Sequence, residues 1–192
     1  MNISFQQVIP HPIKENYQAT SDVWLKDIQF QKGQKYLITA PSGKGKSTFI
    51  HAIYGLRKDF DGNIQLNGKQ TNSLKLNDWA TLRQASLSIV FQDLRLFPQL
   101  TGLENILLKN TLQEYFKEEK IRTFAHRLGV ESILNQSCGT MSYGQRQRIA
   151  IIRSLCQPFD FLLLDEPFSH LDTDNIQKAI DLILEICDKQ QA

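Results

Sequence analysis

The sequence has little of what marks a secreted, membrane-spanning or polyanion-binding chain. Cysteine is scarce and odd in number: Cys138, Cys156 and Cys187 lack metal-ligand or redox spacing, which argues against a disulfide framework and points to reduced thiols in a cytosolic protein. No apolar run approaches the length of a membrane span, and the opening MNISFQQVIPHPIK lacks the apolar core of a secretory leader. Work at a membrane would require a partner that supplies the spanning part. An excess of one charge sign is absent too: with 22% charged residues and a formal net charge of +2, the balance demands neither nucleic acid nor an anionic lipid surface. His51 and His126 stand in helical patterns with no partner at ligand spacing and read as packing or surface residues. Repeats, low-complexity tracts and long linkers are missing, and 192 residues suit one compact domain with room for a small subdomain.

Against that background, residues 40–48, A-P-S-G-K-G-K-S-T, form a loop built to wrap a polyphosphate. The P-loop pattern asks for Gly, four free positions, then Gly, Lys and Ser or Thr; all but the first Gly, here Ala40, are supplied. Gly43 and Gly45 let backbone N–H groups turn inward, where side chains would block a phosphate. Lys46 can reach the β/γ oxygens as a point charge, the Ser47 hydroxyl is placed to ligate Mg2+, and the helix starting near Ser47 directs its positive dipole end at the anion. Ala40 would cost about 1 kcal/mol if the backbone there needs a positive φ. Lys44, between the two glycines, is a solvated charge or an addition to the positive field over the phosphates. Residues 36–39 read as a short buried strand before the loop, and Phe49, Ile50, Ile53 and Tyr54 as the apolar stripe of a helix after it. Strand, glycine-rich loop and helix is the context that separates this motif from a surface turn.

Taken in order, residues 1–38 look β-rich: Ile3, Phe5, Val8 and Ile9 form one apolar cluster and residues 23–30 another, with Pro10 and Pro12 breaking the chain between them. Tyr17 lies in the polar link, where it could stack on a nucleobase or pack on a loop edge. Gly62 and Gly68 bracket NIQL, a short strand completing a small antiparallel layer. A further strand at 87–91 ends at Gln92. Pro98 and the Thr101 to Glu104 capping-box spacing then announce a helix beginning near Gly102, and residues 103–136 read as a helical insertion into an α/β frame. In FDFLLLDEP at 159–167, four apolar residues predict a fully buried strand, and Asp165 and Glu166 emerge at its C-terminal end, where open α/β sheets place ligand sites. One carboxylate there can hold the Mg2+ that Ser47 also holds; a second can orient or deprotonate an attacking water. The basic face of Arg146, Arg148 and Arg153 reads as a packed helix with a solvated side in preference to a nucleic-acid stripe.

The segment MSYGQRQRIAIIRSL at 141–155 resembles the ATP-binding cassette (ABC) family, whose signature usually reads LSGGQ followed by a basic, apolar helix. The resemblance implies an α/β fold: a P-loop NTPase core with a small N-terminal antiparallel β layer and an inserted helical subdomain. It implies one nucleotide-binding domain over 1–192, with β layer and Walker A core at 1–92, the helical subdomain at 93–140, and signature helix, Walker B and D-loop at 141–192. Tyr17 would stack on adenine, and Ser42, Gly43, Lys44, Gly45, Lys46, Ser47 and Thr48 would bind the phosphates as the Walker A loop. Gln92 matches the Q-loop glutamine and Asp165 the metal carboxylate, both with Ser47 on Mg2+; Glu166 matches the catalytic glutamate, with Gln92 and Lys46 supporting it. Ser142, Gly144 and Gln145 would close over the γ-phosphate bound by the other subunit of a head-to-tail dimer, using backbone N–H groups at a helix N-terminus. Tyr143 departs from the usual glycine. Residues 169–172 match the D-loop, with His170 where alanine is usual.

The function implied is an ATPase subunit of a membrane transporter, cytoplasmic and peripheral on the inner face of the cell membrane. It would bind ATP and Mg2+, pair as a homodimer or with another cassette, and drive a separate permease docked on the helical insertion, with no nucleic acid. A switch module with impaired hydrolysis and a soluble non-transport cassette are the alternatives. After Asp172 the chain reads as one helix with Ile176, Ile180, Ile183, Leu184 and Cys187 at helical spacing. The strand and γ-phosphate histidine that the family usually carries beyond it do not follow. The expectation is slow intrinsic turnover and an uncovered sheet edge, in a shortened form or a naturally short cassette.

Overall fold

In the computed structural model, which describes residues 1–15, 21–41 and 43–192, alternation of buried Ile3 and Phe5 with more exposed neighbours builds β1 (Asn2–Pro10). This strand lies inside an antiparallel sheet ordered β2-β1-β3-β4, with β2 at Asp27–Gln31, β3 at Phe60–Leu66 and β4 at Lys69–Gln70. The register of β1 against β3 shifts between Gln6 and Ile9, and Gln7 takes φ 51. Glycine is required opposite: Gly62 has φ 85, and a Cβ there would lie 2.3 Å from the Gln7 carbonyl oxygen. β3 therefore runs through Gly62 instead of starting after it.

After Pro10 comes a single turn, α1 (His11–Lys14), with Pro12 in its first positions. α2 (Lys46–Ile53) docks on the sheet through Phe49, whose ring centroid lies 5.0 Å from Phe5, 5.5 Å from Phe30 and 6.1 Å from Trp24. Because Gly45 immediately precedes α2, this aromatic cluster also fixes the end of the phosphate loop. α3 (Leu76–Ala85) gives almost no apolar signal in the sequence, since Leu76 is 89% exposed and Trp79 alone is buried. Arg83 secures it by donating to the Tyr54 carbonyl at 3.0 Å while lying over the Tyr54 and Trp79 rings.

Residues 36–39 correct the expectation of a buried strand. They belong to no strand, Leu37 is 88% exposed, and Tyr36 instead turns its ring edge-on to Phe30 and accepts a hydrogen bond at its hydroxyl from the Gln31 N–H at 2.9 Å. Apolar composition sets strand propensity; pairing needs a neighbour that the local sequence does not name.

The chain divides into two compact units, Met1–Arg83, described above, and Gln84–Ala192. The second is built on a parallel pair, β5 (Leu87–Val90) and β6 (Phe161–Leu164), in register from Leu87 opposite Phe161 to Val90 opposite Leu164. Leu162 and Leu164 keep partial exposure, so β6 is not fully buried. Around the pair stand α4 (Gly102–Asn110), α5 (Glu118–Arg127), α6 (Tyr143–Leu155) and α7 (Thr173–Gln190), enclosing Ile106, Phe124, Ile149, Ile152 and Leu182.

The capping box at α4 forms as its spacing predicts, Thr101 N–H donating to Glu104 at 2.7 Å and Glu104 N–H to the Thr101 hydroxyl at 3.1 Å. The expected helical run to 136 is instead two α-helices and short turns. Asn110 is the cause: its side chain donates to the Phe116 carbonyl and accepts from the Phe116 N–H, both at 2.8 Å, replacing helical partners with a local turn. α7 is continuous, although its buried stripe is Ala179, Leu182, Ile183 and Ile186, leaving Leu184 exposed.

Candidate functional site

In the Met1–Arg83 unit the phosphate loop is defined by backbone conformation. Gly43 and Gly45 adopt φ 75 and 95, values that a side chain would oppose, and Gly45 is the left-handed cap from which α2 starts. The two glycines face different surroundings: a Cβ at Gly45 would lie 2.4 Å from Ile13 Cδ1 and 3.3 Å from Trp24, whereas one at Gly43 meets nothing within 4 Å among the described residues. The Gly45 side is thus packed, while no described residue crowds the Gly43 side. Ala40 is not a positive-φ residue, so its replacement of glycine brings none of the strain that positive φ would have imposed. Lys46 folds back across the loop, its Nζ donating to the Ala40 carbonyl at 2.9 Å. Ser47 and Thr48 follow in the first turn of α2, half-buried, and Lys44 is exposed. Tyr17 and Ser42 lie outside the described residues.

In the Gln84–Ala192 unit the parallel pair brings three of the expected residues together at its C-terminal end. Asp165 continues β6, its N–H donating to the Val90 carbonyl at 3.1 Å, and the residue is 2% exposed. Glu166 follows at φ 49, a left-handed conformation rare outside glycine and concentrated at functional positions. Its Oε2 accepts from Gln92 Nε2 at 3.2 Å, joining the residues that leave the two strands.

Magnesium suits this donor set. Among the described residues no group of three or more His, Cys, Asp or Glu forms a metal cage. Mg2+ is commonly held by one or two carboxylates with water and substrate phosphates completing its octahedron, and a carboxylate kept from water as Asp165 is gains from a cation.

The start of α6 answers what Tyr143 does to the cap. Ser142 is the N-cap, accepting from Gln145 N–H at 3.3 Å while its own N–H donates to Gln145 Oε1 at 2.8 Å; the capping box is complete with Tyr143 as the first helical residue. The Gln145 side chain is therefore engaged within its own helix terminus. Gly144 is needed for close approach: a Cβ would sit 2.9 Å from the His170 carbonyl oxygen.

Gln147 carries no signal in the motif pattern, yet it is buried at 1% exposure. It donates to the Glu166 carbonyl at 3.4 Å and accepts from His170 N–H at 3.2 Å, fixing the backbone on both sides of residues 167–169. A glutamine among the inward residues Ile149, Ala150 and Ile151 is the cue by which it could have been found. The basic side of α6 is not simply solvated: Arg148 donates to the Leu128 and Gly144 carbonyls at 2.8 and 3.2 Å, and Arg153 to those of Arg95 and Leu94 at 2.7 and 2.5 Å. Burial of Arg148 pulls its pKa below the usual guanidinium value, offset in part by Asp172. Asp172 caps α7, accepting from Asn175 N–H at 2.9 Å, and that bond lowers its carboxyl pKa.

The sequence matches the family described as ABC transporter over residues 25–169. It is 37% identical over 173 residues to the ABC transporter ATP-binding protein YxdL of Bacillus subtilis, covering 88% of this chain and 65% of that protein. It is 35% identical over 178 residues to the lipoprotein-releasing system ATP-binding protein LolD of Buchnera aphidicola, covering 90% of this chain and 76% of the other. Among solved structures, the dimeric bacterial ABC transporter cassette MJ0796 superposes with a TM-score of 0.81 at 26% identity, over 98% of this chain and 84% of its own. A post-hydrolysis state of MJ0796 bound to ADP and Pi superposes with a TM-score of 0.80 at 26% identity. With the phosphate loop, the paired strand ends and the capped signature helix in place, the chain belongs to the ABC transporter family, as one of its P-loop ATP-binding cassettes, a class that binds ATP with Mg2+ and hydrolyses it.

Proposed function

We propose that this chain is a single nucleotide-binding domain over 1–192 that hydrolyses Mg-ATP to drive a separate membrane permease. The observation that carries the reading is the convergence of Gln92, Asp165 and Glu166 at the C-terminal ends of β5 and β6, with Glu166 held in a left-handed conformation and bonded to Gln92. Glu166 orients and deprotonates the attacking water, and Gln92 fixes the carboxylate that does so. Ser47, Gln92 and Asp165 would hold Mg2+, which would supply positive charge to neutralise the phosphoryl oxygens. Lys46 leaves the Ala40 carbonyl for the β/γ oxygens, and the loop from Ser42 to Thr48 with Tyr17 completes the nucleotide site. Ser142, Gly144 and Gln145 serve the nucleotide of a partner cassette, whether a second copy or a related chain.

The permease docks on the helical region 93–140 and places the cassette at the inner face of the cell membrane. No helix among the described residues is long and apolar enough to cross a membrane, which fits a separate spanning subunit. The named relatives are ATP-binding components of transport and release systems, and the MJ0796 cassette was solved as a dimer. Sizing of Glu166→Gln with and without Mg-ATP tests the pairing: a dimer that forms only with nucleotide is expected, and a monomer under both conditions removes the role of residues 142–145 toward a partner's nucleotide.

A further inference from the structure

Tyr143 stands where the family signature usually has glycine, and the structure gives it three partners. Its hydroxyl donates to the Gln92 backbone carbonyl at 2.6 Å. Its ring lies 4.1 Å from the His170 ring at 42°, and the Arg146 guanidinium lies 5.3 Å from the ring centroid on the same helix. Both far partners belong to segments that lead to Glu166. Gln92 follows the end of β5 and carries the amide that bonds Glu166; His170 belongs to the turn in which Ser169 N–H donates to the Glu166 carbonyl at 3.5 Å.

The loop after β5 has little regular structure of its own. Leu94 and Arg95 take φ 61 and 46, and a residue in that conformation persists only where its surroundings hold it. A charge-free hydroxyl-to-carbonyl bond at 2.6 Å is short, and it acts on the very peptide whose side chain must face Glu166. Glycine at position 143 could make neither the hydroxyl bond nor the ring contact. The substitution therefore adds a tie between the signature helix and both segments flanking Glu166, within one chain.

We infer that Tyr143 is a positioning residue for hydrolysis: through the Gln92 carbonyl and the His170 ring it keeps the Gln92 amide and the Glu166 carboxylate in register. The inference rests on the proposed roles of Gln92 and Glu166 and assigns to the signature helix a second task, distinct from nucleotide contact across a dimer. The variants Tyr143→Phe, which keeps the ring and loses the hydroxyl, and Tyr143→Ala, which loses both, separate the two ties.

Hydrogen exchange on the purified chain reads the ties directly. Tyr143→Phe should speed exchange in residues 91–95 and spare 169–172, whereas Tyr143→Ala should speed both; unchanged exchange in both segments of the Ala variant overturns the inference. Single-turnover phosphate release should fall roughly tenfold in Tyr143→Phe, the scale of one lost hydrogen bond, with the ATP concentration for half-saturation unchanged. In a Glu166→Gln background the same change should add nothing. Loss of ATP affinity in parallel with rate, or wild-type release in Tyr143→Phe, refutes a positioning role while leaving Glu166 in place. Wild-type release in Glu166→Gln alone refutes the assignment of Glu166 itself, and the inference with it.

Discussion

The two units hold their proposed functional residues by opposite means. In Met1–Arg83 the phosphate loop is shaped by backbone: two glycines in left-handed conformations, one uncrowded by any described residue, and a lysine resting on its own loop's carbonyl. In Gln84–Ala192 the residues around Glu166 are bonded to neighbours from other segments, Gln92 to Glu166, Gln147 to the Glu166 and His170 backbones, Tyr143 to Gln92. A loop that recognises an anion must keep its N–H groups free, so its order has to come from φ and ψ. Groups that act on a water must keep an orientation, so their order comes from hydrogen bonds between side chains and from fixed neighbours.

The sharpest way to separate the two is to alter the water-orienting side and leave the anion side intact. Glu166→Gln should slow phosphate release about 100-fold or more, with Mg-ATP affinity retained, because the proposed general base is lost and no proposed phosphate ligand is. Equilibrium titration alongside a phosphate-release assay measures both. Lys46→Ala makes the complementary break: Mg-ATP affinity should fall at least about tenfold, since a point charge is removed from a charge-assisted contact. Unchanged affinity in that titration removes Lys46 from the site.

Backbone control can be tested within the first unit alone. Gly62→Ala should destabilise by about 2 kcal/mol or more, since positive φ is combined with a backbone oxygen 2.3 Å from the new Cβ. Gly43→Ala, whose Cβ meets nothing among the described residues, should cost only the conformational strain, about 1 kcal/mol. Denaturant midpoints rank the pair, and equal values would show that contact adds nothing to φ.

The smallest effect probes side-chain control in the second unit. The Glu185 carboxyl, beside Lys189 at 2.5 Å and Arg127 at 2.5 Å, has its pKa lowered to about 2. A folded pKa below the unfolded one means stability that is present above about pH 4.5 and lost as pH falls toward 2. The groups are partly exposed, so the difference between wild type and Glu185→Gln should be only about 0.5 kcal/mol at neutral pH, shrinking to nothing at the acid end. Denaturation midpoints from pH 2 to 7 follow it.

What the sequence disclosed was what short-range chemistry decides. The Thr101 to Glu104 box, the Gly-Lys-Ser run and the Phe161–Leu164 strand each rest on residues within a few positions of one another, and each forms. Residues 36–39 have strand composition, yet pairing depends on a neighbour remote in sequence. The helical insertion was visible as apolar spacing, while its break depended on one asparagine choosing the Phe116 backbone over solvent. Gln147, Arg148 and Arg153 were legible only as polar or basic positions on a packed helix; their carbonyl partners come from other segments. Tyr143 was visible as an anomaly, and only the fold shows what the anomaly touches.

The loop after β5 is fastened to α6 at two separate points, Gln92 by Tyr143 at the first turn and Leu94 and Arg95 by Arg153 in the last. One tether lets a loop pivot in any direction, whereas two tethers some ten residues apart along a helix, roughly 15 Å of rise, leave it only rotation about the line that joins them. A load applied to the loop is therefore delivered along the whole helix as a torque, not dissipated as local bending. A rotation of the helix axis would carry the Gln92 backbone with it, as parts of one lever.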